Sequence, residues 1–393
     1  MGGLHSSARI ALEEAELITG SPRTLALLAP HLHARAQAWP SPMMPFIDEL
    51  LVSERGRAVT IVASGDPLFF GVGASIARRI DASEYEIFPQ LSSFALACTR
   101  LGWAHEDVRV LSVVARPLDR VRAALHAGCR LIVLSEDGTT PAALAALLVE
   151  AGFGASAFTV FEALGGPHER RLDETAATWT HARTGDLNLV AIDVARTAVT
   201  PNAARPRLGC VPGLPDEAYA NDGQLTKRDA RAIVLGRLQP QPGELLWDIG
   251  AGSGSIGIEW MRAHPTCRAI AFECDPLRAD RITANATALG VPDLRVILGD
   301  VPATLAGVPP PQAIFIGGGI TAPGVLDAAL AALVPGTRLV ANAVTLEAEA
   351  MVLAAHAAQG GELIRIVIER AAPVGTMTAW RPALPLVQWT LER

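Results

Sequence analysis

The chain reads as an α/β protein of two domains, the second a doubly wound sheet of seven strands. Three observations predict this. Short apolar, β-branched runs alternate with longer stretches of helical spacing over most of the length. Two of those runs end in a glycine turn that opens a helix. Arg57-Ala-Val-Thr-Ile-Val-Ala63 runs into Ser64-Gly-Asp-Pro67, and Leu245-Leu-Trp247 runs into Asp248-Ile-Gly250-Ala-Gly252-Ser-Gly254. Between them, Ala195 to Pro215 is rich in Pro, Arg, Ala and Gly, carries prolines at 201, 206, 212 and 215, and lacks apolar periodicity. That is the composition of a linker. The expected division is a first domain over 1–197, a linker over 198–214 and a second domain over 215–393.

In the first half, Ser6 to Glu16 spaces its apolar residues as a helix and Leu17-Ile-Thr19 is a short strand. After the Gly65 turn, Gly71-Val-Gly73 opens a helix to Ile80. Tyr85 to Phe94 leads into a helix through Leu101. Val108–Ser112, Arg130–Leu134 and Phe158–Phe161 are strands, and Asp186–Ile192 closes the unit. Gly65-Asp66-Pro67 alone is also an ordinary turn composition.

In the second half, Arg228 to Leu238 is a helix, with Thr226 placed as its N-cap and Asp229 three residues on as a variant capping box. Strands are expected at Leu245–Trp247, Cys267–Glu273, Leu294–Leu298, Gln312–Ile316, Arg338–Asn342, Leu363–Glu369 and Pro385–Leu391. Helices alternate with them at Ser255–Met261, Pro276–Leu289 closed by Gly290, Val325–Leu333 and Thr345–Gln359. In such a sheet the ligand lies beyond the carboxyl ends of the strands, and Asp248, Gly250, Glu273, Asp300 and Gly317 all fall at such ends.

The chemistry of the Gly250 turn has two readings. Gly252-x-Gly254-x-x-Gly257 matches a dinucleotide fingerprint, which would make the chain an NAD-dependent oxidoreductase. Asp248-x-Gly250-x-Gly252-x-Gly254 matches a loop for S-adenosylmethionine (SAM). A carboxylate ahead of the first glycine suits a ligand with an ammonium and a sulfonium, and repels a pyrophosphate. Glu273 suits the ribose hydroxyls of either ligand, so Asp248 discriminates. Thr226, at a helix start beside this loop, adds to the same pocket.

With 393 residues there is length for full cores. Charges or Pro and Gly interrupt each apolar run before a membrane-spanning length, and Met1-Gly-Gly-Leu-His-Ser-Ser7 lacks a basic region followed by an apolar core. A cytoplasmic location is the expectation, without membrane contact. Five scattered cysteines form no Cys-x-x-Cys pair and nine histidines show no ligand spacing, so no metal is expected. A net charge of −7 makes nucleic acid an unexpected partner. Lys227 is the single lysine.

Gly65-Asp66-Pro67 followed by Leu68-Phe-Phe-Gly-Val-Gly73, with Pro89 and Ser92-Ser93 beyond, resembles the tetrapyrrole methylase family over the whole first half. Asp222-Gly-Gln-Leu-Thr-Lys227, Leu246 to Ile256 and Phe315-Ile-Gly-Gly-Gly319 resemble the decarboxylating precorrin methyltransferase domain, a Rossmann-like SAM-dependent fold. The two in this order resemble the precorrin-6Y C5,15-methyltransferase (decarboxylating) family. The resemblance implies that Gly65, Asp66, Pro67, Ser92 and Ser93 touch SAM in the first half. In the second, Thr226, Gly250, Ala251, Gly252, Ser253, Gly254 and Glu273 would hold it, with Asp300 and Val301 at the adenine. It also implies a tetrapyrrole substrate, precorrin-6B/6Y, methylated at carbons 5 and 15 with loss of the ring C acetate carboxyl to give precorrin-8X in cobalamin biosynthesis. Self-association follows from the resemblance too. The alternative is that only the second half is active, for carbon 15 and decarboxylation, with the first half a docking scaffold.

Three departures stand out. The family opens on a glycine-containing strand, whereas this chain starts at what reads as the following loop, Gly2-Gly3-Leu4, so the first strand is expected to be missing or the start codon misassigned. Pro89-Gln90 stands where Pro-Gly is usual, and Ser112-Val-Val-Ala-Arg116 where Ser-x-His-Gly-Arg is usual. For the reaction, Asp222 is the candidate catalytic polar residue. Lys227 and Arg228 are candidate anchors for substrate carboxylates, and Arg205 and Arg207 are linker charges that could reach one.

Overall fold

The structure is a computed structural model that describes residues 4–195 and 208–393. It divides into two compact units. One comprises 1–114, 130–143 and 157–193, the other 115–129, 144–156 and 194–393. Arg205 and Arg207 lie outside the described residues.

In chain order the first half holds α1 (Ser6–Glu14), β1 (Leu17–Gly20), α2 (Pro22–Leu25), β2 (Ala36–Ala38), α3 (Met43–Ser53), β3 (Val59–Val62), α4 (Val72–Ile76), α5 (Ser93–Leu101), β4 (Val108–Ser112), β5 (Arg130–Leu134), α6 (Thr140–Glu150), β6 (Ala157–Glu162), β7 (Arg170–Thr175) and β8 (Asn188–Asp193). Two sheets result: β2-β1-β3, all parallel, and β4-β5-β8-β6-β7, in which only β4 and β5 run parallel. The expected strands and the helix ending at Leu101 stand where their apolar runs placed them. Sequence reading passed over β2, β7, α2, α3 and α6. β7 carries Arg170, Arg171, Asp173 and Glu174 on an edge, so no apolar alternation marked it. The helix after Gly71 stops at Ile76 rather than Ile80.

The second half holds α7 (Arg228–Leu238), β9 (Leu245–Ile249), α8 (Ser255–Ala263), β10 (Arg268–Glu273), α9 (Pro276–Ala288), β11 (Arg295–Leu298), β12 (Ala313–Ile316), α10 (Val325–Ala331), β13 (Arg338–Ala343), α11 (Leu346–Gln359), β14 (Glu362–Ile366), β15 (Glu369–Val374), β16 (Met377–Pro382) and β17 (Leu386–Glu392). Seven strands form one sheet in the order β11-β10-β9-β12-β13-β17-β14, parallel except for β17. Alternation along each strand sends Leu246, Ala271 and Phe315 to the face covered by α7, α8 and α9, and Trp247, Phe272 and Ile316 to the face covered by α10 and α11. Both faces are buried, which is why the parallel strands read as apolar runs. Strand order reverses at β9, so the crevice for a ligand opens at its carboxyl end. The exposed β15–β16 hairpin was not anticipated.

One local reading is corrected. Lys227, not Thr226, is the N-cap of α7, and no side chain caps that helix. Asp229 pairs with Arg370 rather than closing a capping box, and the main-chain oxygen of Thr226 accepts from Arg231 Nη1.

Candidate functional site

The site grows from the end of β9. Gly250, Gly252 and Gly254 all have positive φ, at 69°, 61° and 75°. At Gly250 a Cβ would sit 2.5 Å from the carbonyl oxygen of Gly318, and at Gly252 it would sit 2.9 Å from that of Gln224. The turn therefore passes between the loop after β12 and the 222–226 segment with no room for side chains, which is why glycine is required there. Gly317 N–H donates to Ile249 O at 2.9 Å, fixing the β12 loop against the same strand end.

Glu273 closes β10 and is buried. Its Oε2 accepts from Gly252 N–H at 2.8 Å, and its Oε1 from the N–H groups of Cys274 and Asp275 at 3.0 and 3.1 Å. An anion held by main-chain donors beside the glycine turn fits a partner for ribose hydroxyls. Asp248 lies beneath the turn and is 1 % exposed. Its Oδ2 accepts from Gly257 N–H at 2.9 Å at the start of α8, while Oδ1 has no partner among the described residues. Burial raises its pKa to about 7; the Gly257 N–H opposes this and the Glu273 charge adds to it. Ser253 Oγ is likewise buried without a partner. A Cβ-free cradle, a held carboxylate and two orphaned polar oxygens fit a polar, partly cationic nucleoside. Ala251 lies between the glycines, and Asp300 and Val301 follow Gly299, whose N–H donates to Glu273 O at 2.9 Å. All of these positions gather at the strand ends that the sequence pointed to.

The 213–226 segment is held by residues that sequence reasoning missed. Glu259, on α8, accepts from Gly213 N–H, Leu214 N–H, Tyr219 O–H and Arg231 Nε at 2.6, 3.0, 2.8 and 2.6 Å. The Arg231 side chain is fully buried and stacks over the Tyr219 ring at 4.8 Å. Burial, then the Glu259 charge, pushes the Tyr219 phenol well up, so it stays a donor. Asn285 joins the segment to the glycine turn, donating to Ala220 O at 2.9 Å and Ser253 O at 3.0 Å and accepting from Ala220 N–H at 2.9 Å. The available signal was a charged residue on the apolar face of α8.

Asp222 is exposed and lies 3.0 Å from both Arg278 Nε and Arg281 Nη1, with Oδ1 accepting from Gln224 N–H at 3.1 Å. The Arg281 and Arg278 guanidiniums hold its carboxyl well below the usual range. It is a fixed anion, a poor proton carrier near neutral pH. Lys227 and Arg228 are exposed at the start of α7.

In the first half, β3 runs into the Gly65 turn (φ 61°), and a Cβ there would lie 3.4 Å from Ser92 Cα. Gly65, Asp66, Pro67 and the Ser92-Ser93 start of α5 are thus brought together. Asp66 Oδ1 accepts from Leu68 N–H at 2.8 Å, and Ser92 caps α5 through Ala95 N–H at 3.2 Å. Gly71 and Gly73 pack on Pro67, where Cβ atoms would lie 2.4 and 2.8 Å from its carbonyl oxygen.

Known proteins match in the same two pieces. The family model for tetrapyrrole (corrin/porphyrin) methylases matches residues 6–179, and that for the precorrin methyltransferase domain matches residues 217–393. A precorrin-6Y C(5,15)-methyltransferase [decarboxylating] from Sinorhizobium sp is 49 % identical over 393 residues, covering 99 % of this chain and 93 % of that relative. The chain belongs to the precorrin-6Y C(5,15)-methyltransferase (decarboxylating) family. A second relative of that name, from Mycobacterium tuberculosis (strain ATCC 25618 / H37Rv), is 43 % identical over all of this chain and 97 % of its own length. The crystal structure of the C-terminal domain of precorrin-6Y C5,15-methyltransferase from Rhodobacter capsulatus is 46 % identical, covers 47 % of this chain and 100 % of that one, and has a TM-score of 0.45. Membership makes the chain a decarboxylating precorrin C-methyltransferase and sets aside the dinucleotide reading of Gly252-x-Gly254-x-x-Gly257. Among the described residues no helix is long and apolar enough to cross a membrane, and no group of three or more His, Cys, Asp or Glu could hold a metal.

Proposed function

We propose that the chain methylates precorrin-6B/6Y at carbons 5 and 15 and removes the ring C acetate carboxyl, giving precorrin-8X, with one SAM site in each half. The observation that carries this is the convergence at the β9 end of the Gly250–Gly254 cradle, the Glu273 carboxylate and the Asp248 oxygen left without a partner. SAM supplies a methyl already activated on a sulfonium. The chain's own part is placement. Gly250 to Gly254 bring main chain against the nucleoside, Glu273 accepts from its ribose hydroxyls, Asp300 and Val301 border the adenine, and Thr226 closes the near side. Lys227 and Arg228 anchor substrate carboxylates, and Asp222 holds the α9 arginines in register. The meso carbons of a reduced tetrapyrrole are enamine-like, and the macrocycle accepts the electron pair released with carbon dioxide. Alignment and exclusion of water then supply much of the rate, with no nucleophilic triad required. We further propose domain limits of 1–197 and 215–393, with the first half using Gly65, Asp66, Pro67, Ser92 and Ser93 for the carbon 5 transfer.

Calorimetric titration with SAM tests this. Two SAM per chain is the expected result, and one per chain supports the scaffold reading. Asp66→Ala is expected to abolish carbon 5 methylation alone, read by the mass and NMR spectrum of the product. Loss of both methyl groups would overturn the division of labour.

A further inference from the structure

Asn342 of β13 and Gln388 of β17 form a polar pair in the second-half sheet, opposite each other in antiparallel register. Their strand neighbours Ala341, Ala343, Val387 and Trp389 point to the face covered by α10 and α11. By alternation the two amides lie on the other face, with Val340, where α7 packs. Gln388 is 0 % exposed. Its Nε2 donates to Asn342 Oδ1 at 3.0 Å, while its Oε1 has no partner among the described residues. Asn342 is half-buried, and its Nδ2 makes no hydrogen bond among those residues. At the opposite end of β13 the same face is fully served: Arg338 donates from all three guanidinium nitrogens to Leu238 O, Gln239 O and Glu244. An apolar pair at 342 and 388 would leave no buried oxygen orphaned, so stability does not call for these amides.

We propose that Asn342 binds substrate in the second site, its amide N–H groups donating to a carboxylate of the tetrapyrrole, and that Gln388 is the positioning residue that sets this amide. The assignment rests on the reaction proposed for this chain. Its first support is place. Ala341 pairs with Ile316 of β12, so Asn342 follows at the level of Gly317, whose N–H is tied to Ile249 O at the end of β9. Across the carboxyl ends of the strands the order is therefore Glu273, Gly250, Gly317, Asn342. A nucleoside held by Glu273 and the Gly250 turn occupies the ends of β10 and β9. The ends of β12 and β13 are left for the molecule that receives its methyl. α7 finishes against Arg338 at the amino end of β13, so its start, with Lys227 and Arg228, lies toward Asn342. The second support is chemistry. With Oδ1 engaged by Gln388, Asn342 offers a donor, and carboxylates are the charged acceptors that such a macrocycle carries at its rim. A neutral amide adds direction to an anchor whose charge comes from Lys227 and Arg228.

Steady-state kinetics of carbon 15 methylation, with precorrin-6B and the full chain, test this. Asn342→Ala is expected to raise KM roughly tenfold, with kcat within about threefold of the parent, as a hydrogen bond to a charged group is lost. Asn342→Asp is isosteric and still accepts from Gln388 Nε2, yet it sets a carboxylate against a carboxylate. Its KM is expected to rise roughly 100-fold, and added salt should narrow the gap between the two variants. Calorimetry should give both the parent's second-site SAM affinity. Gln388→Met is expected to raise KM several-fold while the melting temperature holds or rises, because the orphaned oxygen is gone. Equal KM for the Asp and Ala variants of an active parent overturns the anchor alone. A loss of SAM affinity matching the rise in KM also overturns it, because Asn342 would then serve the cofactor. A lower melting temperature with unchanged KM in Gln388→Met makes that residue structural and overturns its positioning role. A parent without carbon 15 transfer overturns the reaction proposed for the chain, and this assignment with it.

Discussion

The two glycine turns of this chain use the same device on different supports. At the second-half turn, β9 has a strand on each side, Gly250 is clasped by the Gly318 carbonyl, and Glu273, Asp248 and Asn285 fix the main chain from beneath. At the first-half turn, β3 has a neighbour on one side, and a Cβ at Gly65 would meet nothing nearer than 3.4 Å. A glycine turn marks where a ligand can approach, and the completeness of the sheet below decides how rigidly that approach is held. Preorganisation is the stronger at the second turn, whose strand is paired on both sides.

Substitutions sharpen this contrast, beginning with the largest effect. Glu259→Ala leaves the Arg231 guanidinium buried without its partner, and breaking such a pair costs about 3–5 kcal/mol. Chemical denaturation should show that loss, and a change below 1 kcal/mol would mean the hub does not hold the 213–226 segment. Gly250→Ala forces a Cβ onto the Gly318 carbonyl, and second-site SAM affinity should drop roughly 100-fold, about 2.7 kcal/mol. Calorimetry should leave any first-half binding unchanged.

Asp248 gives a pH test. Its folded pKa of about 7 lies above the ordinary value of 3.8, so the folded protein holds a proton that the unfolded chain releases between those values. Stability from this group therefore falls as pH rises through the window and stays low above about 7. Asp248→Asn should gain on the parent by ~2 kcal/mol more at pH 8 than at pH 5. Parallel pH profiles of melting would show that the carboxyl is not the titrating group. The smallest effect belongs to Gly65→Ala, where only the positive φ is strained, about 1 kcal/mol. A loss as large as that of Gly250→Ala would erase the distinction between the two turns.

Much of this was legible beforehand because the second-half strands are buried on both faces, and burial writes itself into sequence as apolar runs with glycine at their ends. The strands read at Leu245–Trp247 and Gln312–Ile316, and the placing of Asp248, Glu273 and Asp300 at strand ends, followed from that alone. The Thr226 cap failed because α7 starts one residue later, where Arg231 N–H donates to the Lys227 carbonyl, and Asp229 is drawn to the distant Arg370. Asp222 read as a candidate for moving protons, but two arginines from α9 make it a fixed anion. β7 and the β15–β16 hairpin escaped because edge and exposed strands need no apolar pattern.

Sequence alone settled the alternation of buried strands and helices in the second-half sheet, the two glycine turns and the acids at the strand ends, since each rests on apolar periodicity or on a residue's own backbone freedom. Tertiary structure decided that burial raises the Asp248 pKa, which residue stands at the N-cap of α7 and which strands lie at sheet edges. Those outcomes depend on charges and hydrogen-bond partners that meet only when distant segments pack.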